Sequence, residues 1–426
     1  MSLIDMFPEL TGRCSVEQLS DETEAYSGLS LRSSVATRPL GHSRPSPHLV
    51  LAGDITIFTA PREGCLPKLT LSSPSLGMCQ LPCPSPSNAT AHITALVLDQ
   101  SRPSSDHYTR VVSFLTTGEF TIFSINHSHP SNSTAVLTFI PSSTTSRNSP
   151  IIQAVYHHPL LITLSESFQL SLYDLSSGKV IHTQTLSSFT SYPPSSLVLS
   201  SPSPGNYKLV LAYAIPVYPA HWTVGATELI ISSSPIMSVS NTRTTKAFDI
   251  PAGWVDEHKM QIVREQWGRK VLRVADTQTD GKWVVLAPGD PIADPSALND
   301  ADDVSGPPST LPRSSNLHSP SSLQLYRLYF PSSSSPPKLT FVRSLHGHIG
   351  PVSSLALSDG RCVSLGVNGS VWVWDLEGGT GAEVSAGDSS HDYLAEGGDL
   401  KGSVVFDERR IITADAKGVL VRRFDV

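Results

Sequence analysis

LHGHIGPVSSLALSDGRCVSLGVNGSVWVWDLEGG, residues 345–379, is the stretch that decides the fold. Its apolar residues fall in short runs divided by Asp359-Gly360 and Asn368-Gly369. Such pairs tolerate the positive backbone angles that two-residue hairpin turns demand. The stretch therefore predicts strands over 351–358, 362–366 and 370–376, joined as an antiparallel meander. Val371 and Val373 precede Trp374 at alternate positions, with apolar residues also entering the opposite face.

Earlier in the chain, PLLITLSESFQLSLYDLSSGKVIHTQTL (159–186) repeats the design, with Tyr173-Asp174 in the place of Trp374-Asp375. Phe123 and Phe58 end comparable runs, and Gly53, Gly118 and Gly369 each stand five residues before such an aromatic. At the C-terminal end, Phe424-Asp425 occupies the same place. Phe123 to Tyr173 and Trp374 to Phe424 are both intervals of 50 residues. Weaker units surround Ile230 and residues 326–329. Counting third strands near 58, 123, 173, 230, 328, 374 and 424 gives seven units. A lone meander cannot bury two apolar faces, whereas units packed around an axis bury each face against a neighbour. The fold expected is all-β: a seven-bladed β-propeller of four-stranded antiparallel blades, carrying disordered Ser/Pro-rich insertions. A sandwich of consecutive hairpins is the alternative.

The unit at 345–379 resembles a WD repeat of the WD-repeat β-propellers: Gly347-His348, Ser364, Asn368 and Trp374-Asp375 match that motif in order. The resemblance implies a hydrogen-bonded set within the blade, with His348, Ser364 and Trp374 in three of its roles. Asn368 stands where aspartate is usual and lacks the charge that would strengthen its hydrogen bonds. The unit ending at Tyr173-Asp174 carries Thr163 in the place of the serine and has no Gly-His pair.

The propeller is expected over 36–426, with an irregular insertion at 244–270, a short helix near 256–266, and a disordered loop at 291–320. The N-terminal segment, 1–35, is expected to supply the strand that closes the last blade, since an open sheet edge is a liability. The 34 prolines and abundant serines belong to the excursions between strands.

The net charge is -7, with 30 Lys and Arg against 37 Asp and Glu. This balance gives no global attraction for nucleic acid or anionic membranes. Arg264, Arg269 and Lys270 around Trp267 form one local basic stretch. No apolar run reaches the length of a membrane span, and the start lacks the pattern of a secretory signal. Cys14, Cys65, Cys79, Cys83 and Cys362 show no zinc-ligand spacing, so reduced thiols are expected. His127 and His129, or His157 and His158, have no partner carboxylates at useful spacing. Asp300, Asp302 and Asp303 resemble only a fragment of a calcium loop.

No catalytic, cofactor or metal motif is found. The inner strands expected at 93–98, 152–156 and 352–357 are nearly free of acids. The function expected is a non-enzymatic protein-interaction scaffold, cytoplasmic or nuclear. Its candidate partner-binding loops are the turns between second and third strands: Thr117, Glu119, Glu166, Ser167, Asn368, Ala416 and Lys417. A substrate receptor of a ubiquitin ligase, as in the F-box/WD proteins, is one alternative, although residues 1–35 show no F-box pattern. A propeller enzyme with a channel site is the other. Partners are expected to be proteins, including ubiquitin-ligase subunits in the first alternative.

Overall fold

In most of the sheets, alternate residues of one strand serve two different cores. Leu209, Leu211 and Tyr213 join one apolar cluster while Val210, Ala212 and Ala214 join the next. Val284 and Leu286 face backwards around the ring, Val285 and Ala287 forwards. Period-two side-chain direction makes this partition automatic when both sheet faces are covered. A computed structural model describes residues 47–59, 66–73, 75–83, 85, 91–102, 108–141, 149–217, 221–234, 236–248, 256–289, 322–331, 335–387, 402–415 and 418–423.

Their strands form seven antiparallel sheets in chain order. The first blade holds β1 (Leu49–Ala52), β2 (Ile55–Phe58), β3 (Lys68–Ser73) and β4 (Gly77–Pro82). The second holds β5 (Ile93–Leu98), β6 (Tyr108–Leu115), β7 (Phe120–Asn126) and β8 (Thr134–Phe139). The third holds β9 (Ile151–His157), β10 (Leu160–Ser165), β11 (Gln169–Asp174) and β12 (Ile181–Ser187). The fourth holds β13 (Tyr192–Ser203), β14 (Asn206–Val217), β15 (His221–Ser232) and β16 (Ser238–Lys246). Helix α1 (Glu257–Gly268) follows, its N-terminus capped by Asp256, which accepts from Lys259 N. The fifth blade holds β17 (Val274–Thr279), β18 (Trp283–Pro288), β19 (Leu323–Tyr329) and β20 (Lys338–Leu345). The sixth holds β21 (Val352–Ser358), β22 (Arg361–Gly366), β23 (Val371–Asp375) and β24 (Thr380–Ser385). The seventh shows β25 (Ser403–Phe406), β26 (Arg410–Asp415) and β27 (Gly418–Arg423).

Each junction between neighbouring blades is filled by its own apolar cluster, seven among the described residues. First strands touch their neighbours all the way round, and β1 also touches β25, so the ring closes. The seam between the seventh and first blades has the smallest cluster, centred on Leu49, Ile412 and Ala414. Polar contacts supplement it: the Arg410 guanidinium donates to the carbonyls of Gly53 and Asp54 and to Asp407 Oδ2.

The first blade corrects one expectation. Phe58 ends β2, a second strand, and the third strand is β3. Gly53, at φ 55°, turns the chain between the first and second strands. A glycine hairpin followed by an apolar strand looks the same locally wherever it sits in a blade. The expected irregular stretch at 244–270 begins inside β16. The disorder expected at 291–320 and the closing strand expected from 1–35 lie outside the described residues.

Candidate functional site

The sixth blade holds a continuous polar chain in an apolar setting. Trp374 Nε1 donates to Ser364 Oγ at 2.8 Å. Ser364 Oγ lies 2.6 Å from His348 Nε2. His348 Nδ1 lies 3.1 Å from Ser370 Oγ, which donates to Asn368 Oδ1 at 2.8 Å. Ser370 spends its one hydroxyl hydrogen on Asn368 and so must accept from Nδ1, and that fixes the direction of the rest. Ser364 then donates to Nε2, and the neutral imidazole donates from Nδ1 to Ser370. Burial holds the His348 ring at about 4, well below its ordinary range, in keeping with a neutral ring.

Glycine at 347 is a steric necessity. A Cβ there would stand 2.7 Å from Trp372 and 2.8 Å from Trp374. Those two indoles are stacked with centroids 5.2 Å apart. Asn368 also accepts from Ser370 N, so its amide is engaged in its own turn. Asp375 accepts from Glu377 N and Gly378 N, holding the next turn. Ser370 is the member that sequence reasoning missed; a hydroxyl two residues after a turn Asn was its signal.

In the third blade, Thr163 is buried opposite Ser171, and both hydroxyls hydrogen-bond the Tyr173 phenol. Burial raises that phenol above its usual range. The Tyr173 ring packs edge-on against Phe120 and Phe139 of the second blade. Asp174 accepts from Ser176 N, as Asp375 does in its own turn.

The turns between second and third strands return to one end of the ring, because every described blade has the same strand order. Glu166 and Ser167 are exposed there, and Thr117 and Asn368 are half-buried. Glu119 is not a surface group: it is 2% exposed and accepts from Ser85 Oγ at 2.7 Å. Ala416 and Lys417 lie outside the described residues.

A channel of about 380 Å³ runs between the first strands of all seven blades. Among the described residues its polar lining is His48, Gln153, Ser196, Gln278, Ser354 and Ser403, with no carboxylate, lysine or arginine. Acids on or just beyond the first strands instead tie one blade to the next. Asp99 accepts from His158 N, Asp276 from Leu355 N, and Asp280 from Gly360 N. Among the described residues no three His, Cys, Asp or Glu side chains group as a metal site. His127 pairs with Thr109 Oγ1, and His158 with the Tyr156 hydroxyl. Cys83 is buried, with its thiol pushed up to about 11 and receiving a hydrogen bond from Ser113.

The basic stretch near Trp267 sits on aromatic faces. Lys270 Nζ lies 3.8 Å from the Trp267 ring centre, and the Arg269 guanidinium 4.6 Å from that of Phe341. Trp267 itself packs against Phe248.

A family model described as the F-box protein pof12 beta-propeller matches residues 35–398. No curated protein matches the chain. Among solved structures, the computationally designed Ika8 protein aligns at 12% identity and a TM-score of 0.44, covering 90% of this chain and 98% of that one. KlAtg21, solved in complex with the coiled-coil of AgAtg16, aligns at 11% and 0.47, covering 90% and 95%. BamB from Moraxella catarrhalis aligns at 10% and 0.43, covering 88% and 96%. No helix among the described residues is long and apolar enough to cross a membrane.

Proposed function

Since this chain belongs to the F-box protein pof12 β-propeller family, we propose that it is a protein-binding subunit of a ubiquitin-ligase complex. In this reading the propeller captures a protein substrate, and the work is binding, not catalysis. The family match over residues 35–398, which takes in the first six blades, is the observation that carries it. The sixth blade is read as a WD-type repeat, supported by the chain from Trp374 through Ser364 to His348. A rigid ring with variable loops at its ends suits recognition, because loop residues can change without disturbing the cores. The site of action is read as cytoplasmic or nuclear.

The substrate-receptor role is tested by protein turnover. Deleting the chain from its own cells should lengthen the half-life of at least one protein that it binds. Unchanged half-lives for all bound proteins would remove that role.

A further inference from the structure

Large apolar side chains stand exposed on three consecutive loops at one end of the ring. Phe189, just before β13, is 68% exposed; Leu272, just before β17, is 47% exposed; Ile349, just before β21, is 91% exposed. The inner strands place them side by side. Asp276 accepts from Leu355 N and Asp280 from Gly360 N, sequence offsets of 79 and 80, so β17 and β21 run parallel. Ser196 Oγ donates to Gln278 and accepts from Thr279 N, offsets of 82 and 83 between β13 and β17. The larger offset brings Phe189 level with Leu272. On β21 the level of Leu272 falls two residues beyond Ile349.

A relay of contacts through Tyr192 and Trp222 links the first two loops. The Tyr192 hydroxyl donates to Phe189 O, and its ring meets Trp222 edge-on at 5.4 Å. Trp222 then pairs through its backbone with Val271, the neighbour of Leu272. Scattered exposed apolar residues are ordinary, but a connected group on adjacent loops marks an interaction surface. Its charge surroundings are one-sided. Residues 256–273 hold five Lys or Arg against three Asp or Glu, and Glu257 is paired with Arg264. Lys270 and Arg273 bracket Leu272.

We propose that this crescent over the fourth to sixth blades, anchored by Phe189, Leu272 and Ile349 and flanked by Lys270 and Arg273, docks a polypeptide segment of a partner protein that presents large apolar side chains among acidic residues. The apolar anchors give affinity, and the cations select against basic segments. The inference rests on the protein-binding reading above and names the chemistry of the partner.

The test selects a random peptide display library on the purified full chain. Enriched peptides are expected to combine Asp or Glu with Leu, Phe or similar side chains. Phe189→Ser with Leu272→Ser should weaken a selected peptide about ten-fold or more. Lys270→Glu with Arg273→Glu should weaken it independently, while Leu76→Ser at the opposite end leaves it unchanged. No enrichment, enrichment of basic peptides, or peptides indifferent to both double variants would overturn the proposal. Self-association of the wild type that Phe189→Ser with Leu272→Ser abolishes would make the occupant a second copy and also overturn it. Ligase-core association is measured on the same proteins. Its retention by a variant that has lost peptide binding is the expected result. Its absence from the wild type removes the adaptor reading, and the peptide result still decides the surface.

Discussion

Trp374 donates its indole N–H to Ser364 Oγ at 2.8 Å, from β23 to the neighbouring strand β22. This bond begins a chain that runs through His348 and Ser370 to Asn368. The buried hydroxyl of Ser364 serves two heterocycles at once.

Ser364→Ala removes that shared partner and leaves two buried ring nitrogens unpaired. Unsatisfied buried polar groups cost about 1–3 kcal/mol each. A loss of about 2–4 kcal/mol is therefore expected in denaturant unfolding. A loss below about 0.5 kcal/mol would mean that the chain is structurally idle.

His348 supplies a pH dependence. Its folded value, about 4, lies below its unfolded value of 6.5. As pH falls through 6.5 the unfolded chain takes up the proton first, so stability is full above that pH. It then declines until about 4, with about 2 kcal/mol lost at pH 5. His48, also held at about 4, adds to the wild-type trend, so the comparison needs a variant. The stability gap between wild type and His348→Gln should narrow by about 2 kcal/mol from pH 7 to pH 5. A constant gap sinks the assignment.

Gly347→Ala tests the close approach of the stacked indoles. The added methyl would lie under 3.0 Å from both Trp372 and Trp374. Overpacking of this kind costs about 1–3 kcal/mol. Gly350→Ala, where nothing lies within 4 Å, is the control and should be near neutral.

The seam between the seventh and first blades relies on Arg410. Arg410→Met keeps much of the stem but loses the bonds to Asp407, Gly53 and Asp54. Charged hydrogen bonds contribute about 1.5–3 kcal/mol, so a clear drop in melting temperature is expected. An unchanged melt would show that apolar contacts alone hold the seam. The companion variant lacks residues 1–35. Val419, Leu420 and Val421 of β27 are exposed, while the third strands of the other blades are largely buried. A closing strand from that segment predicts a sharply lower melting temperature on its removal, and an unchanged curve would refute it.

Much of this architecture was legible locally. Turn glycines and two-sided apolar strands mark hairpins, and Tyr173 and Trp374 do lie on third strands. The first blade misled because Gly53 followed by β2 has the same local signature as a later hairpin. Where a hairpin sits in its blade is a non-local property, set here by β1 packing beside β25. Glu119 reads as a surface turn residue, yet its partner Ser85 comes from the loop after the first blade, 34 residues away. The apolar crescent was invisible for the same reason, since its members lie about 80 residues apart and meet only through the parallel inner strands.

The composition of the complex formed by the tagged chain in its own cells is the direct test of the ligase-adaptor role. Purified under mild conditions and identified by mass spectrometry, it should contain ubiquitin-ligase core subunits in near-stoichiometric amount, together with at least one further protein. Recovery of the chain alone, or of other partners without any ligase-core subunit, would contradict the account.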